Sequence, residues 1–237
     1  MKYLITVWTL FYSIVLLATD YHIDTVRMTS TVLNETRIIL IFTPDGLQNN
    51  DSVSMLYLLD GEFAKTRYDA IMKEQSVIPP VGIGIINVNR NRDMLPVKEP
   101  DKFLNFIETE LIPKFEANYQ ITRRILFGHS FAGGFAIYSL INKPGLFDQY
   151  IASSPTPIME MTDSLQYRQL DNRLDKKTGF YFSYGSEDMK QVKKWGEVLY
   201  KNLANMNFEY LRWKRDIFQG ENHNTSDRNA IIKGIIF

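Results

Sequence analysis

Along this 237-residue chain, short β-rich apolar runs alternate with segments whose apolar residues recur at helical spacing. Residues 36–44 (TRIILIFTP) and 54–61 (SMLYLLDG) are runs of the first kind, each closed by turn residues. Residues 81–89 (VGIGIINVN) are nearly all apolar, as in a strand covered on both faces. Residues 101–119 carry Phe103, Phe106, Ile107, Leu111 and Phe115 on one helical face, with carboxylates elsewhere. Strand–helix pairs continue: RRILF then FAIYSLINK, FDQYIASSP then a polar helical piece at 165–174, and GFYFSYG then residues 189–206. The strand FEYLRWKRDIF and a final helix, 226–237, capped by Ser226 or Asp227, close the chain.

Such alternation predicts an α/β domain, a mostly parallel central sheet with helices on both faces. The earliest strands are joined through loops without helices, so the sheet is expected to begin antiparallel. No repeat, low-complexity tract or Pro/Ser-rich linker divides the chain, which reads as one domain over 20–237. Residues 1–19 stand apart. After Lys2, the stretch from Tyr3 to Ala18 is apolar and uncharged, shorter than the roughly 20 residues of a spanning helix. It reads as a signal peptide cleaved near Ala18, with an uncleaved anchor as the alternative. Export to the periplasm or the extracellular space is the expectation, without stable membrane association after cleavage.

Composition narrows the chemistry. Lysine plus arginine equals aspartate plus glutamate, so no net charge draws the chain to nucleic acid. The absence of cysteine removes thiol catalysis, disulfides and thiolate metal sites. Three histidines, His22, His129 and His223, argue against a multi-histidine metal centre. No cofactor is implied, and nothing in the pattern specifies an oligomeric state.

The joint ILFGHSFAGGFAIYSL, from Ile125 to Leu140, places Ser130 between a strand and a helix, where ligands sit in such sheets. Gly128 and Ala132 keep the flanking positions small, as a nucleophile elbow requires, with Ala132 where a second glycine is usual. Neither a G-x-G-x-x-G nor a Gly-Lys-Ser/Thr pattern is present, so the joint is not a nucleotide loop.

Serine needs a base to take its proton. His223 lies in the polar loop QGENHNTSDRN after the last strand, within reach of the sheet's carboxyl edge. His129 adjoins Ser130 and is expected to point away, beneath the turn, while His22 precedes the whole sheet. A carboxylate orienting the base comes from Gly185-Ser186-Glu187-Asp188, with Asp188 favoured over Glu187. The order Ser130, Asp188, His223 is that of α/β-hydrolase triads. The Phe131 N–H is one expected oxyanion donor, and the Glu62 N–H, after LYLLDG, is the other.

With these blocks in hand, the chain resembles the serine esterases of the α/β-hydrolase superfamily. That group includes siderophore trilactone esterases and, more distantly, S-formylglutathione hydrolase and mycolyltransferases. Matching segments are VLNETRIILIFTP, LYLLDGE, VIPPVGIGIINVNRNRDMLP, LFGHSFAGGFAIYSL, FDQYIASSP, YFSYGSED and FQGENHNTS. The resemblance implies Ser130 as nucleophile, His223 as base, Asp188 as acid, and a small-molecule ester as substrate. It also gives the NRNRDMLP loop a role, with Arg90 and Arg92 as contacts for an anionic substrate. The alternative is an Arg92–Asp93 pair that pins the loop. Rival readings are acyl transfer on the same triad, and a non-catalytic binding protein, against which the retained triad speaks. The connection 155–175 is brief and polar, so a small lid and compact substrates are expected.

Overall fold

A computed structural model describes residues 20–95, 98, 100–157 and 164–237. The expected signal segment, 1–19, lies outside the described residues, as do 158–163 of the expected lid. Among the described residues no helix is long and apolar enough to cross a membrane.

Eight strands form one sheet in the order β1-β2-β4-β3-β5-β6-β7-β8. Their ranges are β1 Tyr21–Ser30, β2 Glu35–Pro44, β3 Ser52–Leu58, β4 Val81–Ile85, β5 Gln120–His129, β6 Gln149–Ser153, β7 Thr178–Gly185 and β8 Leu211–Phe218. β2 pairs antiparallel with β1 and with β4, and every pairing from β4 through β8 is parallel. The sheet is therefore mostly parallel and antiparallel at its start, as the pattern predicts.

Strand β1 is not marked by hydrophobic alternation. It is an edge strand with His22, Asp24 and Arg27 among its residues, and only Met28 and Ser30 are buried. Its register against β2, from Tyr21 opposite Pro44 to Ser30 opposite Glu35, defines it. Charged edges of this kind discourage further strand addition.

Helices cover both faces. On one side α1 (Ala64–Met72) and α8 (Ser226–Ile236) bury Tyr68, Ile71, Ala230 and Ile231 against Phe42, Leu58, Phe127 and Ile151. On the other, α5 (Phe131–Asn142) and α7 (Lys190–Ala204) bury Phe135, Ile137, Leu199 and Leu203 against Leu126, Tyr150, Phe180 and Phe182. The short helices α2 (Arg90–Met94) and α6 (Ser164–Leu170) follow β4 and β6. The helix expected over 101–119 is divided into α3 (Pro100–Phe106), a π turn (Ile107–Leu111) and α4 (Ile112–Glu116). Pro113 has no N–H to offer the carbonyl of Thr109, and a widened turn accommodates the loss.

The parallel strands bring His129, Ser153, Ser183 and Asp216 level near one edge of the sheet, and β7 and β8 run two residues further, to Gly185 and Phe218. The loops leaving this carboxyl edge carry the polar residues singled out above.

Candidate active site

Ser130 follows β5 directly and has φ 58°, ψ −118°, a backbone conformation that a non-glycine residue adopts only when its surroundings enforce it. The enforcement is steric. A Cβ at Gly128 would lie 2.0 Å from the carbonyl oxygen of Ala132, so strand and helix converge there at backbone contact. The buried Ala132 methyl, in the first turn of α5, is accommodated within the core. Two hydrogen bonds fix the turn, Ser130 N–H to Ser153 O at 3.0 Å and Thr156 N–H to Ser130 O at 2.9 Å.

His223 reaches this serine from the loop between β8 and α8. Its Nε2 is 3.0 Å from Ser130 Oγ, and its Nδ1 is 2.9 Å from Asp188 Oδ1. Close packing of backbone brings the loop into range, because a Cβ at Gly185 would lie 1.9 Å from Glu221 O. The Glu187 N–H bonds that same carbonyl at 2.9 Å. Asp188 is buried, whereas Glu187 is exposed, which separates the two carboxylates that the sequence leaves in competition.

Burial alone would push the Asp188 carboxyl up. Hydrogen bonds from His223, from Ser154 Oγ at 2.5 Å and from the Met189 N–H at 2.7 Å outweigh it and hold the group below the usual aspartate range. With Asp188 ionised, the His223 proton belongs on Nδ1, and Nε2 is free to accept from Ser130. Ser154 is a participant that sequence reading missed. It sits at φ 43° just beyond β6, and its Oγ also meets Ser226 Oγ at 2.9 Å. This explains the end of α8. Thr225, not Ser226 or Asp227, is its N-cap; Ser226 is buried against Ser154, and Asp227 pairs with Arg67 at 3.1 Å. The pair in IASSP was legible only as the end of a strand.

His129 lies beside the relay and does not join it. Its Nδ1 is 3.1 Å from Ser153 Oγ, and its ring centroid is 4.8 Å from that of His223. Burial, reinforced by Arg67, lowers its pKa to about 4, so a neutral ring packs against His223. His22 lies on β1 near Asp24 and Asp45, away from Ser130.

Phe131 opens α5, so its N–H has no carbonyl four residues back within the helix. Glu62 lies in a single 3₁₀ turn, Gly61–Phe63, which follows β3 at the same edge. Arg92 is engaged elsewhere: its guanidinium bonds Glu35 at 2.7 and 2.9 Å and Asp93 at 2.8 Å. Asp93 is also held by the buried Arg37 at 2.6 Å. Of the two expectations for Arg92, these contacts favour the pinning of the loop over an open substrate contact.

A mostly parallel sheet with helices on both faces and Ser130 on a strained strand–helix turn is the architecture of an α/β hydrolase. Solved structures share it. The BES protein of Bacillus cereus matches with a TM-score of 0.81 at 23% identity, covering 100% of this chain and 98% of that one. The siderophore hydrolase EstA of Aspergillus nidulans matches with a TM-score of 0.69 at 21% identity, covering 98% of each chain. The ferri-bacillibactin esterase BesA of Bacillus subtilis is 27% identical, covering 83% of this chain and 82% of that protein. Residues 30–201 match the esterase family model described as "Putative esterase", and the chain belongs to that family. It is a carboxylic ester hydrolase.

The depressed His129 pKa has a consequence for stability. In the unfolded chain this histidine takes a proton near its ordinary pKa, while the folded protein resists until about pH 4. The unfolded state therefore binds more protons in that interval. Its contribution is fully present above the ordinary histidine range and is lost as pH falls toward 4. The urea midpoint should drop between pH 7 and pH 4.5, and His129→Asn should flatten that drop. An unchanged pH slope in the variant would show that His129 is not the group responsible.

Proposed function

We propose that this protein is an exported serine esterase that cleaves small polar esters through an acyl-enzyme. The observation that carries the reading is the continuous relay from Ser130 Oγ through His223 to Asp188, at 3.0 and 2.9 Å. In the proposed cycle His223 Nε2 takes the Ser130 proton as Oγ attacks the ester carbonyl. The resulting oxyanion is met by the N–H groups of Phe131 and Glu62. Collapse expels the alcohol, which leaves with the proton from His223, and the acyl group stays on Ser130. Water then repeats the sequence, giving its proton to His223 and releasing the acid with Ser130 restored. Asp188 remains ionised throughout and stabilises the imidazolium.

The substrate class rests on two supports. Relatives carry names of siderophore esterases, among them BesA and the triacetylfusarinine C esterase of Aspergillus fumigatus. The connection between β6 and β7 spans residues 154–177, and α6 and a 3₁₀ turn take up ten of them, which leaves little chain for a deep acyl tunnel. Export is supported by the apolar segment at 3–18 behind Lys2. Mass spectrometry of the native protein should give an N-terminus near Ala18–Asp20; an intact Met1 in a cytoplasmic fraction would overturn it.

Ser130→Ala should abolish hydrolysis of p-nitrophenyl butyrate and labelling by a fluorophosphonate, with the fold retained. His223→Ala should cost as much, whereas Asp188→Asn should lower kcat by roughly 10⁴ through the wrong tautomer. Glu187→Gln should be mild. Labelling that persists in Ser130→Ala would move the nucleophile elsewhere.

Substrate preference is checked by kcat/KM across a catechol trilactone, a butyrate and a palmitate ester. The trilactone should lead and palmitate should trail. Palmitate ahead of butyrate would contradict the compact site.

A further inference from the structure

Asp60 is a carboxylate at the edge of the site that the relay does not use. It is 2% exposed and, at φ 53°, occupies the left-handed region, where aspartate is among the non-glycine residues most often found. Arg90 grips it with both arms, Nε to Oδ1 at 2.6 Å and Nη2 to Oδ2 at 2.7 Å. Asn87 Nδ2 donates to the same Oδ1 at 2.9 Å. The guanidinium does not stop there. Arg90 Nη2 also donates to the His129 carbonyl at 3.3 Å, and the guanidinium carbon lies 5.0 Å from the centroid of the Phe131 ring. One side chain thus touches the residue two before Glu62 and the residues on either side of Ser130. Asn87 closes the loop from the other side, its N–H and Nδ2 bonding the Glu62 carboxylate at 2.9 and 3.0 Å.

The geometry points to the Asp60–Arg90 pair as a positioning device that fixes the Glu62 N–H relative to the Phe131 N–H, and so sets the oxyanion site. This inference rests on the serine-esterase reading above. The two donors belong to separate connections, one after β3 and one after β5. The strands before them pair directly, and Leu59 N–H to Phe127 O at 3.1 Å carries that pairing to three residues before Glu62 and four before Phe131. A bidentate carboxylate–guanidinium pair is planar and directional, and it restrains orientation as well as distance. Arg67 supports the turn from below, donating to the carbonyls of Leu59 at 2.9 Å and Asp60 at 3.4 Å. The turn is therefore held at its carbonyls by one arginine and at its side chain by another. An Arg90 committed to a buried carboxylate in this way is poorly disposed to act as an open anchor for substrate charge.

The test uses the full-length mature protein and p-nitrophenyl butyrate, a neutral ester with no charge for Arg90 to bind. Asp60→Asn and Arg90→Gln should each lower kcat by about 10- to 100-fold, the scale of a displaced catalytic group, with KM little changed. The Ki of an alkylboronic acid, whose serine adduct puts an oxygen in the oxyanion position, should rise by a similar factor. The double variant should be little worse than the poorer single one. Arg90→Lys keeps the charge and the fold but not the two-armed grip, and it should also lose kcat, which covers the case of a larger change failing to fold. An unchanged kcat beside a lowered Tm would overturn the inference in favour of a purely structural pair. A raised KM at constant kcat would overturn it in favour of substrate binding. Ser130→Ala separates the two levels: its inactivity beside fully active clamp variants would sink the positioning role alone, and its activity would sink the esterase reading beneath it.

Discussion

A methyl group added at Gly128 would stand 2.0 Å from the carbonyl oxygen of Ala132, so β5 and α5 meet with no room for a side chain between them. That convergence forces Ser130 to φ 58° and holds its hydroxyl beyond the carboxyl edge of the sheet. The other contacts of the site depend on this turn. Ser153 accepts the Ser130 N–H at 3.0 Å, and His223 meets the hydroxyl at 3.0 Å. A relaxed turn at Ser130 would leave His223 and Asp188 paired with each other but without the hydroxyl they orient toward. The backbone strain, of the order of 1–3 kcal/mol for such a conformation, is offset by the packed sheet and helix on either side.

Buried charge follows a consistent pattern around that turn. Asp188 and Asp60 are both nearly inaccessible, and each carboxylate receives at least three donors. Three donors can compensate the desolvation of an anion where one would not. His129 takes the opposite course and stays neutral, because burial first, and then Arg67, oppose its proton. Two imidazoles with centroids 4.8 Å apart can then occupy one site without mutual repulsion. The buried His129 ring packs against that of His223.

The sheet's parallel body was legible because β4, β6 and β7 are buried along their whole length, and β3 and β5 toward their carboxyl ends, which leaves short apolar runs bounded by turn residues. Ser130 was legible for a related reason, since the missing side chains around it report the backbone convergence directly. His223 and Asp188 followed from their places after the last two strands. Strand β1 was hidden, because an edge strand with solvent on most of its surface has no reason to alternate. Ser154 and Asp60 were hidden as well. A serine at a strand end and an Asp-Gly turn are common in any sequence, and only the tertiary approach of Asp188 and Arg90 distinguishes these two. Arg92 shows the same limit from the other side. Its loop suggests chemistry, yet Glu35 and Asp93, distant in sequence or buried, take up its charge.

Helices α1 and α8 carry more of the site than their positions in sequence suggest. Arg67, on α1, bonds Asp227 on α8 at 3.1 Å and lies over the rings of Phe63 and Phe127. It also donates to the Leu59 and Asp60 carbonyls and lowers the pKa of His129. Ser226, the first residue of α8, bonds Ser154, which in turn bonds Asp188. The turn bearing Glu62 and the loop bearing His223 are thus fixed to the same pair of helices on one face of the sheet. Ser130 instead caps α5, which packs on the opposite face. The proposed nucleophile and its proposed base are therefore supplied from opposite sides of the sheet and meet at its edge. Their 3.0 Å contact depends on the thickness and register of the sheet between them, which a core packed on both faces keeps constant.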